Sequence, residues 1–523
     1  MKLVVGVRWL VSALAVLLEP FAPGPSFAAE RSLTLDQAVA LALRGNEGIV
    51  IERHSLAAAR ARVTAASGAY DPLLELNGGW SRTREPLNSQ FPGAASNPIA
   101  PEGRTREGGL SIRQLLPTGG AVALRATGSR ETSESSLAML SPAFRTRVGV
   151  ELRQPLLRGL RSDAARRDGG VARADRTGAI ASLRRAVVET VAAVEQSYWA
   201  LVAARLGVGV REEAVRLAEE QLGQTQSRVE TGSSPRTELA QPRAELERRR
   251  GELLAAREAL ARSENGLKIL ILDGAGDAGW EDTLAPVEPA AVDTAAAADV
   301  PGSLQYAFAH RPELEIAASA VERRRAEGAY ARSGAWPSLD AVVSYDRFGL
   351  AGSGNPSGLP GGIAALRSGD LGDSFDVLQD GDYDAARVAL VLGLPIRNRA
   401  ARGNAAAARH AERQAEADLA RVRKAIRAEV LDAAAALETA EQRIDAARAS
   451  REAAEIQLAA ERDRFATGLT TNFLVLTRQN DLSRARLDEI SARTDYRRAR
   501  TEMARASGSL IEGRGIEITE ATR

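Results

Sequence analysis

The stretch Arg228–Arg248, RVETGSSPRTELAQPRAELER, has a second copy at Arg464–Arg484, RFATGLTTNFLVLTRQNDLSR. Laid together without a gap, the two share the opening Arg, the Thr-Gly pair, and a later Leu and Arg. The match extends upstream, where Ala218-Glu219-Glu220-Gln221-Leu222 lies over Ala454-Glu455-Ile456-Gln457-Leu458 in the same register. The chain is a tandem repeat. In each copy a long Ala/Glu/Arg-rich pattern runs into Gly232 or Gly468, and glycine can take the left-handed conformation that ends a helix. Ser234 is placed to cap a new helix with Pro235 at its first position, and Thr470 or Thr471 is placed to cap the other. The reading is two tight helical hairpins.

The 523 residues therefore go into long helices rather than into several compact domains. Charged residues make up 26% and aromatic residues only 4%, which suits long helices packed through small side chains. Lys2 and Arg8, the apolar run Leu10–Leu18 and the small site Ser26-Phe27-Ala28 predict a secretory signal over residues 1–28. The chain has no cysteine, so neither a disulfide nor a lipidated cysteine is available to it. A net charge of +1 excludes a strongly basic nucleic-acid binder. No later stretch approaches about 18 uninterrupted apolar residues, so any membrane crossing falls to strands.

Thr34 and Gln37 have capping-box spacing, and helical periodicity runs on to Ser67. From Leu73 the period drops to two, with Leu74, Leu76 and Trp80 on one face and Glu75, Asn77 and Ser81 on the other. A polar loop is expected over Glu85–Glu107. Alternation then returns at Leu110 and Ile112, at Val122 and Leu124 beyond Pro117-Thr118-Gly119-Gly120, and at Val148, Val150 and Leu152. Strands of about 8 to 10 residues, with Arg and Glu on one face, suit a wall that is apolar outside and wet inside.

The predicted organisation is a signal (1–28), N-terminal helices (29–72), strands and loops (73–155), a long hairpin (156–273) and a connector (274–303). The second half answers with a helix (304–336), strands and loop (337–396), a long hairpin (397–510) and a tail (511–523). The long helix before each tip is expected to reach roughly 100 Å, at 1.5 Å per residue, with Gly207 and Gly209 as kink points in the first. A Gly/Asp-rich loop is expected over Gly349–Asp384, ahead of the dyad Val388, Leu390, Leu392 and Leu394.

Arg311-Pro312-Glu313-Leu314, Gln154-Pro155-Leu156-Leu157-Arg158-Gly159 and both tip motifs, including Phe473-Leu474-Val475-Leu476, resemble the TolC-type outer-membrane efflux family. The resemblance covers nearly all of the chain beyond the signal. It departs at Gly45-Asn46-Glu47, where Asn-Pro-Asp/Glu is usual, and at the extra hairpin around Pro117–Gly120. The strand number per protomer is thus four or six. The resemblance implies a mainly α fold with a transmembrane β part: a homotrimer forming one β-barrel in outer-membrane lipid and a long periplasmic α-helical barrel. It implies an outer-membrane exit duct of a tripartite efflux or type I secretion system, working with a periplasmic adaptor protein and an inner-membrane pump. The tips, Arg228, Thr231, Gly232 and Ser233 with Arg464, Thr467, Gly468 and Leu469, are then the adaptor-docking residues. Glu238 sits where the family often places an acid lining the closed entrance; its repeat mate is Leu474, and the plainer reading is a solvated acid beside Arg236. The alternative class is a periplasmic adaptor or coiled-coil envelope spacer.

No catalytic constellation is visible, so the chain is not read as an enzyme, and no cofactor or metal is assigned. His54, His310 and His410 are far apart in sequence on helical patterns. Asp370, Asp373, Asp380, Asp382 and Asp384 lack calcium-loop spacing and read as a solvated loop. Leu116-Pro117-Thr118-Gly119 reads as a hairpin turn.

Overall fold

The computed structural model describes residues 30–86, 100–135, 137–233, 235–274, 279–287, 299–356 and 368–516. The signal reading, most of the predicted loop before residue 100, the capping role of Ser234 and the end of the tail lie outside them.

The first half begins with β1 (Glu30–Leu33), α1 (Leu35–Gly45) and α2 (Glu47–Ser67). The capping box at Thr34 forms: its hydroxyl accepts from Gln37 N at 3.2 Å, and Gln37 Oε1 accepts from Thr34 N at 3.0 Å. Four strands follow, β2 (Leu73–Arg84), β3 (Glu102–Leu115), β4 (Ala121–Ser133) and β5 (Leu140–Pro155), and then α3 (Ala164–Glu230) and α4 (Ala240–Ile271). After β6 (Thr283–Pro286) the second half runs α5 (Val300–His310), α6 (Pro312–Gly334), β7 (Ser338–Gly354), α7 (Leu371–Asp380), β8 (Asp384–Gly393), α8 (Arg399–Ala466) and α9 (Asn472–Ser507).

The duplication is visible in helix lengths. α1 to α4 have 11, 21, 67 and 32 residues, and α5, α6, α8 and α9 have 11, 23, 68 and 36. At 1.5 Å per residue α3 and α8 are each about 100 Å long. α3 is continuous through Gly207 and Gly209, because one glycine costs a helix only about 1 kcal/mol.

The broadest core sits halfway along α3, where Val191, Val194, Tyr198, Leu201 and Val202 pack with Ala38 and Ile49 of the first two helices and Leu267 of α4. Here β1 and β6 pair in parallel, Glu30 to Thr283 through Leu33 to Pro286, and Tyr198 donates to the Leu33 carbonyl at 3.0 Å. The connector, in which no strand is predicted, thus holds one. Four-residue strands joined across the chain carry no period that sequence can display. Three smaller cores continue along α8 and α9.

All six remaining strands form one antiparallel sheet in the order β2-β3-β4-β5-β7-β8. Among the described residues the sheet has six strands, four from the first half and two from the second. They span 10 to 17 residues, longer than expected. Beyond the apolar stretch the alternation is carried by Gly, Ser, Thr and Arg, which hide it, yet pairing continues to Arg84 and Glu102. β3 therefore begins inside the predicted loop. The loop after Gly349 likewise contains the end of β7 and all of α7, whose N-terminus is fixed by a capping box between Asp370 and Asp373. The helical segment ahead of the strands is two helices in both halves, broken at Asn46 and at Arg311, where the second half is predicted as a single helix.

Candidate functional site

Two regions face outward with unusual chemistry: the strand wall and the helical tips. In the wall, register places Leu74, Ile112, Leu124, Val150 and Tyr345 in one row. The row below them on the same face holds Val122, Leu152, Val343 and Val388. Apart from the half-buried Val122 these side chains are open to the surroundings, Val388 being 80% exposed, and Leu76 on the same face is 77% exposed. The opposite face carries ion pairs between neighbouring strands: Arg153–Asp340 at 2.6 Å, Arg147–Asp346 at 2.9 Å, and Arg125–Glu151 and Arg145–Glu131 at 3.6 Å. Arg113 and Arg387 on that face are balanced in sign by Glu75 and Glu107. One face thus suits hydrocarbon and the other water. The strands β2 and β8 at the two ends each pair on one side only, and among the described residues no strand pairs with their outer edges. Among the described residues no helix is long and apolar enough to cross a membrane.

At the tips the sequence expectation for glycine holds in detail. Gly232 has φ +74° and Gly468 +77°. Gly232 N donates to Val229 O at 3.1 Å and Ser233 N to Arg228 O at 2.8 Å; Gly468 N donates to Phe465 O at 3.1 Å and Leu469 N to Arg464 O at 2.9 Å. Both are Schellman turns. Thr231 and Thr467 repeat each other too, each hydroxyl donating to carbonyls one turn back, Ser227 and Arg228 or Asp463 and Arg464, at 3.0 to 3.2 Å. The tips are joined by Arg228, whose guanidinium lies 4.4 Å over the Phe465 ring, and by Gln221 donating to Asn472 at 2.5 Å.

Chain entry into the first return helix differs from expectation, and at the second the expected N-cap position holds without its side-chain bond. Pro235 precedes a 3-10 turn, Arg236–Leu239, and α4 starts only at Ala240. Thr471 is the N-cap of α9 without a side-chain bond, while the Thr470 hydroxyl turns back to Glu461. Glu238 lies on the 3-10 turn, exposed to solvent. Leu469 and Phe473 leave 79% and 59% of their surface open at the second tip.

Above the tips, Arg248 donates to Asn480 at 2.7 Å, linking α4 to α9, and pairs with Glu245 at 2.5 Å. Burial pushes the Glu245 carboxyl up, but the Arg248 hydrogen bond and the charges of Arg249 and Arg248 outweigh it, so its pKa is lowered.

The residue that breaks each paired short helix has an anchoring role the sequence did not reveal. Asn46 accepts from Gly48 N at 3.0 Å and donates to the Leu270 carbonyl at 3.3 Å. Arg311 is buried and donates to the Ala506 carbonyl at 3.1 Å, to both Glu313 oxygens at 2.8 and 3.0 Å, and to Glu429 at 2.9 Å. Leu270 and Ala506 are each the last residue but one of their helices. In both halves the break is thus tied to the end of the last helix of its own repeat.

The remaining polar candidates are accounted for locally. His54 and His410 are exposed, and His310 stacks on Tyr306 at 3.9 Å. Burial, then Glu512, pushes the Tyr306 hydroxyl up to about 12. Leu116 and Gly119 close the β3–β4 turn, with Gly119 N donating to Leu116 O at 2.9 Å.

A sheet with one apolar and one charged face, continued by helices of this length, defines an elongated channel-wall subunit. The chain belongs to the outer membrane efflux protein family, whose profile matches residues 121–271 and 303–509. It is accordingly the outer-membrane exit duct of a tripartite efflux system, in a family of channels rather than enzymes. The fold is similar to the CmeC outer membrane channel of Campylobacter jejuni, at 18% identity and a TM-score of 0.62 over 91% of this chain and 86% of that one. VceC of Vibrio cholerae is similar at 16% identity and 0.62 over 91% and 96%. The open-state MtrE channel of Neisseria gonorrhoeae is similar at 17% and 0.60 over 91% and 89%. No curated protein sequence matches the chain.

Proposed function

We propose that three copies close the sheet into one barrel in the outer membrane, with the long hairpins forming a periplasmic tube that carries small molecules outward. The observation that carries this is the wall itself: six strands with two open edges, exposed leucines and valines on one face, and balanced ion pairs on the other. Three six-stranded sheets give 18 strands, in the range where barrels enclose an aqueous channel. A periplasmic adaptor or spacer would leave Leu76 and Val388 in water, at about 25 cal/mol per Å² of apolar surface. The periplasmic adaptor docks on the tips, through Leu469 beside Gly468 and through Ser233 beside Gly232, and hands on cargo from an inner-membrane pump. Glu238, exposed at the same level, lines the entrance.

Fractionation and cross-linking test this reading. The expected product is an outer-membrane species of three chains, in which Leu469→Cys cross-links to the adaptor. A soluble periplasmic monomer would overturn it.

A further inference from the structure

On the apolar face of the wall, register sets Gly78, Gly108, Gly128, Thr146 and Gly349 side by side across five strands. The row on the helix side of it runs Leu76, Leu110, Ala126, Val148 and Arg347, and the row on the far side runs Trp80, Arg106, Arg130, Phe144 and Ala351. The small residues therefore mark the distal edge of the apolar belt, where arginine side chains join the aromatic Trp80 and Phe144. Barrel proteins place such aromatics at the membrane interface.

The helix α7 is seated in this row. The Thr146 hydroxyl lies 2.9 Å from both the carbonyl oxygen and the hydroxyl of Ser374, and both residues are fully buried. A Cβ on Gly349 would stand 1.9 Å from that carbonyl oxygen, and one on Gly128 would meet Leu371 at 3.8 Å. The helix therefore reaches from β4 to β7 and runs across the strands. Its ten residues span about 15 Å, or roughly three strand spacings. Ser374 and Leu378 face the sheet. Leu371 and Phe375, one turn apart, remain 42% and 41% exposed, while Asp373, Asp376 and Asp380 occupy other exposed positions.

We infer that α7 is an interfacial helix: it lies on the lipid-facing side of the wall at the outer rim and presents Leu371 and Phe375 to the outer leaflet. This rests on the membrane reading of the wall. The argument is continuity. The helix occupies the same face as the apolar belt and adjoins its last row, with its axis across the strands. Its apolar flank adds to the belt, and its carboxylates point to water. That is the geometry of an amphipathic helix lying in an interface. Extended loop chain at this place would expose unpaired backbone groups toward lipid, which a helix avoids.

The chain has no cysteine, so single thiols report unambiguously. Phe375→Cys, Asp376→Cys and Leu390→Cys would each carry an environment-sensitive fluorophore in proteoliposomes, challenged with a quencher on the lipid near the headgroup and with aqueous iodide. The expected result is that the label at 375 loses most of its emission to the lipid quencher and little to iodide, with the reverse at 376. Iodide quenching at 375 as strong as at 376, with the label at 390 still in lipid, overturns the inference and leaves the wall in the membrane. Iodide quenching at 390 as well overturns the membrane reading together with it. Protection of 375 from both quenchers, with cross-linking to another chain, also overturns it, because the helix would then be covered by protein.

Discussion

Replacing Arg311 by Met removes a guanidinium while keeping most of its volume, and the structure sets the size of the effect. The side chain is only 4% exposed and holds three partners: the Ala506 carbonyl at 3.1 Å, Glu313 and Glu429. Removing one partner from a buried ion pair costs about 3 to 5 kcal/mol. Glu429, however, is 40% exposed and Glu313 23%, so both can turn to water and recover part of that cost. The Ala506 carbonyl, left without its donor, costs about 1 to 3 kcal/mol. The net expectation is about 3 kcal/mol, the lower end of the buried-pair range. Thermal unfolding of the purified protein in detergent, followed by helical signal, measures it. Arg311→Lys should fall between, since an ammonium keeps the charge but loses the two-pronged contact with Glu313. A loss below about 0.5 kcal/mol, typical of surface changes, would refute the reasoning and make the residue a bystander at the helix break. Asn46→Ala, at the matching break, should cost less, about 1 to 2 kcal/mol, because a neutral amide loses one cap and one bond.

At the tips, Gly232→Val or Gly468→Val forces a Cβ into a left-handed turn, at about 1 to 2 kcal/mol, with nothing else within 4 Å to clash. Assembled protein should persist while dye efflux and adaptor cross-linking fall; normal export by the double variant would refute docking there. Glu245 has a depressed folded-state value, so its contribution is complete above the unfolded glutamate value of about 4.3 and is lost as pH falls through the folded one. Acidification should therefore lower the melting midpoint of the wild type more than that of Glu245→Gln, and equal losses would remove Glu245 from the account. Gly349→Val cannot coexist with the Ser374 carbonyl at 1.9 Å, so α7 should lift and become protease-sensitive while the barrel stays assembled; unchanged resistance would place the helix elsewhere. In planar bilayers the duct should pass cations and anions about equally, because the charges on its wet face pair and balance; strong selectivity would mean the face is not the lumen.

What could be read in advance follows from which features carry a period. The duplicated tips and the ends of α2, α3 and α9 were legible because helical spacing and left-handed glycines repeat over long windows. The wall was legible wherever Leu and Val alternate, and illegible beyond, where Gly78-Gly79 and Arg82 continue the same strand. The sequence Asp370-Leu371-Gly372-Asp373 has capping-box spacing, yet among so many acids and glycines it read as loop. Arg311 was noticed as part of a signature and Asn46 as a departure from one. Their shared task needs partners far away, Ala506 and Leu270, and one sequence does not display contacts at that separation.

The unequal halves have a geometrical reading in the proposed trimer. The helical repeats are nearly equal, but the first half supplies four strands and the second two, and the surplus is the hairpin of β3 and β4. The other strands match by position, β2 with β7 after the short helices and β5 with β8 before the long ones. Strands about 4.8 Å apart and tilted about 40° each occupy about 6.3 Å of perimeter, so 18 strands give about 113 Å and 12 give about 75 Å. Twelve long helices at axis separations of about 8 to 10 Å need about 96 to 120 Å. At this tilt a wall without the extra hairpin would have to narrow sharply where it leaves the helical tube. With the hairpin the two perimeters agree, and the tube can continue into the membrane at nearly constant width. The insertion that sequence alone left as four strands or six is, on this account, what fits the barrel to its helices.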